Sequence, residues 1–190
     1  ADRLGFHARQ FMHDLASRLF PICRRLTGDG VRETLAILGE HLPGLTVHEV
    51  PSGTAAFDWT VPDEWNIRGA YLEGPDGTRL IDFADSNVHV VGYSEPVDAR
   101  LTLEELQRNL HSDEELPEAI PYVTSYYNRT WGFCLPHEQR SQLVEGTYHA
   151  VIDSSLEPGS LTYAELVIPG DSDEEVFVST YVCHPSLANN

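Results

Sequence analysis

The hydrophobic pattern of this chain changes period at Pro51, and that change limits what it can build. Before it, Phe6, Phe11, Met12, Leu15, Leu19 and Phe20 recur at helical spacing. The spacing predicts an amphipathic helix over about residues 5 to 22, broken near Pro21. After Thr27-Gly-Asp-Gly30, Asp29 is the expected N-cap of a second helix carrying Val31, Leu35, Ile37 and Leu38 towards a core, and Pro43-Gly44 ends it. Leu45 to Val50 alternates like a strand.

From Pro51 to about Pro121 the pattern breaks into short strand-like runs: Trp59–Val61, Ile67–Leu72, Arg79–Phe83 and Val88–Tyr93. Pro75-Asp76-Gly77 is a hairpin turn between the second and third. Thr102 with Glu105 forms a capping box for a short helix. The stretches 120–127 and 131–135 are dense in aromatics, and 136–143 reads as a short helix. Three strands then follow, Tyr148–Asp153, Leu161–Ile168 and Glu175–Val182, the last two expected to pair antiparallel across an acidic turn. The fold class expected is α/β, opening with two helices and a strand and followed by a small β-rich unit.

Charge narrows the partners. The 190 residues carry 30 acidic against 12 basic side chains, a net charge of −18. Such a surface repels phosphate backbones, so nucleic acid is not an expected partner, and anionic membranes are disfavoured for the same reason. Cys23, Cys134 and Cys183 are an odd count without close spacing, which suits a reducing compartment rather than a disulfide framework. No leader opens the sequence, and no apolar run approaches the ~20 residues that cross a bilayer, so a cytoplasmic location is expected.

The end of the sequence carries the leading chemical candidate. Glu175 to Val182 reads as a buried strand that delivers His184 to its C-terminal tip, where α/β sheets gather their catalytic groups. A neutral imidazole there is a zinc ligand or, alternatively, a hydrogen-bonding cap on the strand. Because no helix follows to cover the strand, the chain reads as the N-terminal part of a larger enzyme. Cys183 would point to the opposite face as a structural thiol. Tyr126, Tyr127 and Trp131, with Tyr122 and Phe133, can stack on a substrate ring or pack between two units. Asp85, Ser86, Asn87 and His89 read as turn chemistry. Ser186 lacks a nucleophile elbow, and Cys134 and His137, three apart, could form a nucleophile pair, although that spacing rarely fixes the geometry. No phosphate-binding glycine loop, Cys-x-x-Cys pair or His-Glu-x-x-His helix occurs.

The string Val178-Ser-Thr-Tyr-Val-Cys-His-Pro-Ser-Leu-Ala-Asn-Asn190 resembles a bacterial aminopeptidase-like family associated with polysaccharide biosynthesis. Further matching stretches include Leu19 to Thr34, Glu49 to Thr54, Phe57 to Pro62, Glu64 to Arg68, Asp85 to Val91, Pro121 to Tyr127, Trp131 to Cys134 and Asp153 to Tyr163. The resemblance implies a zinc-aminopeptidase-like fold, a mixed sheet flanked by helices and interrupted by a small β-rich domain inserted after the first strand. It implies residues 1–50 as the first part of the peptidase-like domain, an inserted unit at 51–145 and a return at 146–190. It implies that His184 is the first zinc ligand and that Ala188-Asn189-Asn190 matches a step supplying a carboxylate between two metals. An amide, Asn190, stands at the expected bridging carboxylate, so the cofactor expected is one or two zinc ions. The general base and remaining ligands would lie beyond residue 190.

The function so implied is metal-dependent hydrolysis of an amide or peptide bond in a small peptide or aminoacyl substrate. An acidic surface would hold the substrate's ammonium group. Two rivals stand beside it: a catalytically weak binding module in polysaccharide or natural-product biosynthesis, and a metal-independent hydrolase using Cys134 or Ser186. Self-association into a homo-oligomer is compatible with any of the three. As an isolated piece, the chain is expected to be aggregation-prone.

Overall fold

A computed structural model describes residues 2–187, with side chains from 7 to 186. Two helices open it, α1 at Asp2–Leu19 and α2 at Asp29–Gly39. Ten strands follow or surround two further short helices: β1 Thr46–Pro51, β2 Ala55–Ala56, β3 Trp59–Thr60, β4 Glu64–Glu73, β5 Arg79–Asp82 and β6 Val97–Thr102. Then come α3 at Leu103–Gln107, β7 Leu110–His111, β8 Phe133–Cys134, α4 at His137–Ser141, β9 Thr147–Glu157 and β10 Ser160–Glu165. The fold is mixed α/β with several small sheets.

The largest sheet has the order β5-β4-β9-β6 and is antiparallel throughout. β9 lies at its centre, so the sheet holding much of residues 51–145 also includes 147–157. Along β4 the buried set changes phase, from Trp65 to Ala70 and Leu72. The register against β9 shifts between Ile67 and Gly69, and the extra residue there moves the inward face by one position. β9 keeps strict alternation, burying Tyr148, Ala150, Ile152 and Ser154. With Val90, Tyr93, Leu106, Phe133 and Leu135 these side chains form the main core. The opposite face is charged: Arg68 pairs with Asp153, and His149 lies between Glu73 and Asp98.

Local signals were met where both partners lie close in sequence. The Pro75-Asp76-Gly77 turn joins β4 to β5, and Thr102 with Glu105 closes a capping box on α3. Asp29 is not the cap of α2 but its first residue. Gly28 precedes it at φ +104°, and a Cβ there would lie 2.3 Å from the Trp65 carbonyl oxygen. The first helical N–H is satisfied from another element, since Asp29 N donates to Asn66 Oδ1 at 2.7 Å.

Three expectations are corrected. In α1 only Leu15 and Leu19 join a core, packing with Ile22, Ile37 and Leu38, whereas Met12 and, just past the helix, Phe20 are exposed, and Phe11 is half-exposed with the His41 ring packed edge-on against it. Phe6 lies outside the described side chains. Val88–Tyr93 is a 3-10 turn at Asn87–His89 followed by a buried loop, not a strand. Val90, Val91 and Tyr93 are all buried, so the run has no solvent face to alternate with. Its amides instead bond to the Gly132 and Val123 carbonyls at 3.0 and 2.9 Å.

The third correction concerns the expected buried strand at Glu175–Val182. Among the described residues, 175–182 make no ladder, and Phe177 is 90% exposed. β10 ends at Glu165 and pairs with β1, in register from Thr46↔Glu165 to Pro51↔Ser160, rather than with the later segment. A strand needs a neighbour to take its hydrogen bonds, and none of the described residues supplies one. No described helix is long and apolar enough to cross a membrane.

Candidate functional site

His184 is placed by side chains rather than by a strand. Arg24 follows the end of α1 and is fully buried. Its Nη1 donates to the Leu19 carbonyl at 2.8 Å, and its Nε donates to the His184 carbonyl at 3.1 Å. Two residues on, Ser186 sits at φ 51° in the Pro185–Leu187 turn, and its hydroxyl donates to Asn87 Oδ1 at 2.7 Å. Asn87, in the cluster read as turn chemistry, is buried and so holds this turn from the β-rich side. The imidazole packs edge-on to Tyr181 and Tyr122, with ring centroids 5.1 and 5.9 Å away.

Arg25 lies beside it and is 2% exposed. Its guanidinium stands 5.4 Å from the Tyr122 ring and 5.5 Å from that of Trp65. Its Nη2 reaches the Val90 carbonyl at 3.4 Å. Arg24 Nη2, Arg25 Nε and Nη1 and Thr124 Oγ1 are buried without a hydrogen-bond partner among the described residues. Each such group costs about 1–3 kcal/mol when left unpaired.

Burial dominates the acid–base character here. It raises Cys23, with Arg25 and Arg24 opposing, and it raises Cys183. It pushes the Cys134 thiol up to about 12, and that side chain is fully buried. His137 Nδ1 faces the Ser112 hydroxyl at 3.1 Å, so the contacts described for it supply no base to Cys134. Desolvation also lowers the Arg24 guanidinium. The Tyr93 hydroxyl, raised by burial, is held by Thr27 Oγ1 at 2.9 Å.

The three aromatic candidates go to different places. Tyr126, at φ 45°, packs 5.0 Å from the Tyr93 ring, and its hydroxyl is raised by burial within reach of Tyr122 and Cys183. It therefore joins the group around His184. Tyr127 is exposed and its hydroxyl donates to the Thr60 carbonyl. Trp131 packs edge-on against Phe133, at the border of the main core. Asn190, with Ala188 and Asn189, lies outside the described residues. No group of three His, Cys, Asp or Glu side chains able to hold a metal comes together among the described residues. An imidazole suits zinc, but the described residues supply one such ligand and not a complete set.

Arg24, Arg25 and Asn87 were not anticipated. Their signal was faint: between Pro21 and Gly28 two adjacent arginines stand with no acidic neighbour, in a chain with 30 acidic residues.

The fold is α/β, and Arg24 reaches from the end of α1 to the histidine turn at residues 184–186. This chain belongs to the family described as a domain of unknown function (DUF4910), whose model matches residues 13–190. It is 50% identical over 179 residues to a *Clostridium acetobutylicum* protein provisionally named as a polysaccharide biosynthesis protein with aminopeptidase-like domain. That match covers 94% of this chain and 41% of the relative. A crystal structure of a provisionally named peptidase from *Clostridium acetobutylicum* superposes with a TM-score of 0.92 at 48% identity, covering 97% of this chain and 43% of that one. The chain thus spans about two fifths of the length of these relatives.

Proposed function

We propose that this chain forms part of a metal-dependent hydrolase of the aminopeptidase or amidohydrolase type, which cleaves an amide or peptide bond in a small peptide or aminoacyl substrate. The observation that carries the reading is the bracing of His184 through its own carbonyl by Arg24 and through Ser186 by Asn87. Such bracing fixes a ligand before it is used. Likeness to a relative named for an aminopeptidase-like domain supports it.

In this reading His184 and Asn190 would be ligands to one or two zinc ions, with further residues completing the set. Zinc, when bound, supplies an activated water and polarises the scissile carbonyl. This chain's own contribution is positional. Arg24 fixes the backbone at His184, Tyr122 and Tyr181 pack against its ring, and of the three aromatic candidates Tyr126 is the one placed to offer stacking surface to substrate. The division into residues 1–50, an inserted unit at 51–145 and a return at 146–190 belongs to the same proposal, as does a cytoplasmic location.

Metal content by plasma mass spectrometry on the natural gene product, wild type beside His184→Ala, tests it. The expected result is about one or two zinc ions per chain, lost in the variant while the fold persists by circular dichroism. Absence of zinc from both proteins, with ligand binding retained, would transfer the assignment to a binding module in polysaccharide biosynthesis.

A further inference from the structure

We propose that Arg25, with Thr124 and the adjacent Arg24, forms a binding site for a carboxylate group beside His184. The reasoning begins with a contrast among the arginines. Exposed or half-exposed ones find carboxylates readily: Arg18 pairs with Glu40, Arg32 with Glu64 and Arg68 with Asp153. The two most deeply buried, at 0% and 2% exposure, have no described carboxylate partner, although the chain carries 30 acidic residues. A buried guanidinium is retained where something anionic meets it, since burial of an unpaired charge opposes folding.

The unsatisfied atoms are suited to one kind of ligand. Arg24 Nη2 and Arg25 Nε and Nη1 only donate, and the Thr124 hydroxyl can donate with them. A set of donors takes an oxyanion and rejects a cation. The bare α-carbon of Gly92 keeps room between two of these groups: a Cβ there would lie 2.9 Å from both Arg25 Nε and Thr124 Oγ1. The Tyr122 hydroxyl stands near Arg25 and the Tyr126 hydroxyl near Thr124, each short of ordinary hydrogen-bond geometry. Tyr122, whose ring lies over Arg25, is 40% exposed, so solvent reaches this side of the cluster. A planar carboxylate matches a guanidinium edge with two parallel hydrogen bonds.

The carboxylate comes from an acidic substrate or from an Asp or Glu of the natural gene product. Its service to a substrate rests on the hydrolase reading, whereas the site itself does not. The probe is acetate, titrated at constant ionic strength against its neutral isostere acetamide, with thermal unfolding as the readout. Wild type, Arg25→Lys and Arg25→Met are compared in the natural gene product and in the 190-residue chain carrying Phe177→Lys and Val178→Lys, the changes expected to keep it monomeric.

Stabilisation of wild type by acetate and not acetamide, weakened at least tenfold in Arg25→Met and partly kept in Arg25→Lys, is the expected result. A response in both proteins assigns the site to a substrate. A response confined to the 190-residue chain assigns it to an internal carboxylate. An acetate response that survives Arg25→Met overturns the proposal. Should the variants fail to fold, or no protein respond, a crystal structure of the wild-type gene product soaked in acetate decides. A carboxylate oxygen on Arg25 Nε or Nη1 upholds the site, and its absence there refutes it. Zinc content is read separately, so a metal-free protein that still binds acetate sinks the hydrolase reading alone.

Discussion

Replacing Glu64 with glutamine removes the charge on which the junction of the helices and the main sheet is built. The Glu64 carboxylate accepts from Arg32 Nη1 at 2.8 Å and Nη2 at 2.5 Å, from Asn66 Nδ2 at 3.1 Å and from the Ser160 amide at 3.1 Å. It thereby ties α2 to β4 and to the start of β10. Arg32 holds it well below the ordinary carboxylate value, from 4.5 to about 2, against the opposing effect of burial. A fall of that size corresponds to about 3 kcal/mol. The Glu64 side chain is 14% exposed and that of Arg32 30%, so solvent screens part of the interaction, and about 2 kcal/mol is expected.

The sign follows from the depressed value. Glu64 binds its proton more weakly in the folded chain than in the unfolded one. The contribution is therefore complete above about pH 4.5 and is lost as pH falls through about 2. Urea unfolding of wild type and Glu64→Gln, followed by tryptophan fluorescence at a series of pH values, measures the difference directly. It should be near 2 kcal/mol at pH 7 and shrink steadily below pH 4.5. A difference under about 0.5 kcal/mol at pH 7, or one unchanged at pH 3, would refute the argument.

Cys134 should resist alkylation in the folded protein at pH 8, because burial holds its thiol at about 12, and should react once urea is added. Rapid native labelling, read by peptide mass spectrometry, would reopen a cysteine-based mechanism. The 190-residue chain alone should aggregate at micromolar concentration through Val176, Phe177 and Val178, whereas Phe177→Lys with Val178→Lys should remain monomeric by light scattering. A wild-type chain that is monomeric and melts cooperatively would defeat that expectation.

What the sequence made legible were features whose causes lie within a few residues. The Thr102–Glu105 capping box, the Pro75-Asp76-Gly77 turn and the apolar stripe of α2 each carry their own partners, and each formed as read. The segment 175–182 has the composition of a strand, but a strand is defined by its neighbour, and none lies among the described residues. Val88 to Tyr93 looked like a strand, but Val90, Val91 and Tyr93 are all buried in a loop. His184 was legible as a polar residue after an apolar run. The residues that hold it were not, because charged side chains are expected at the surface and Arg24 meets His184 across 160 positions.

That long reach decides how the β-rich unit relates to the proposed site. Were the unit a passive insertion, the turn at 184–186 would be held only by the helical segment that supplies Arg24. Instead the turn is gripped from both sides. Asn87 bonds to Ser186, and its own Nδ2 reaches the Pro21 carbonyl at 3.5 Å, close to the arginine pair. Tyr122 lies between the Arg25 guanidinium and the His184 ring. Tyr93 reaches back from the same unit to Thr27 and holds the start of α2. Ser186, Tyr93 and Tyr126 all have left-handed backbone, a conformation that surrounding packing must impose on non-glycine residues. Arg24 thus holds the His184 carbonyl itself, while the β-rich unit holds the turn two residues on and packs Tyr122 against the ring, so the proposed site draws on all three segments.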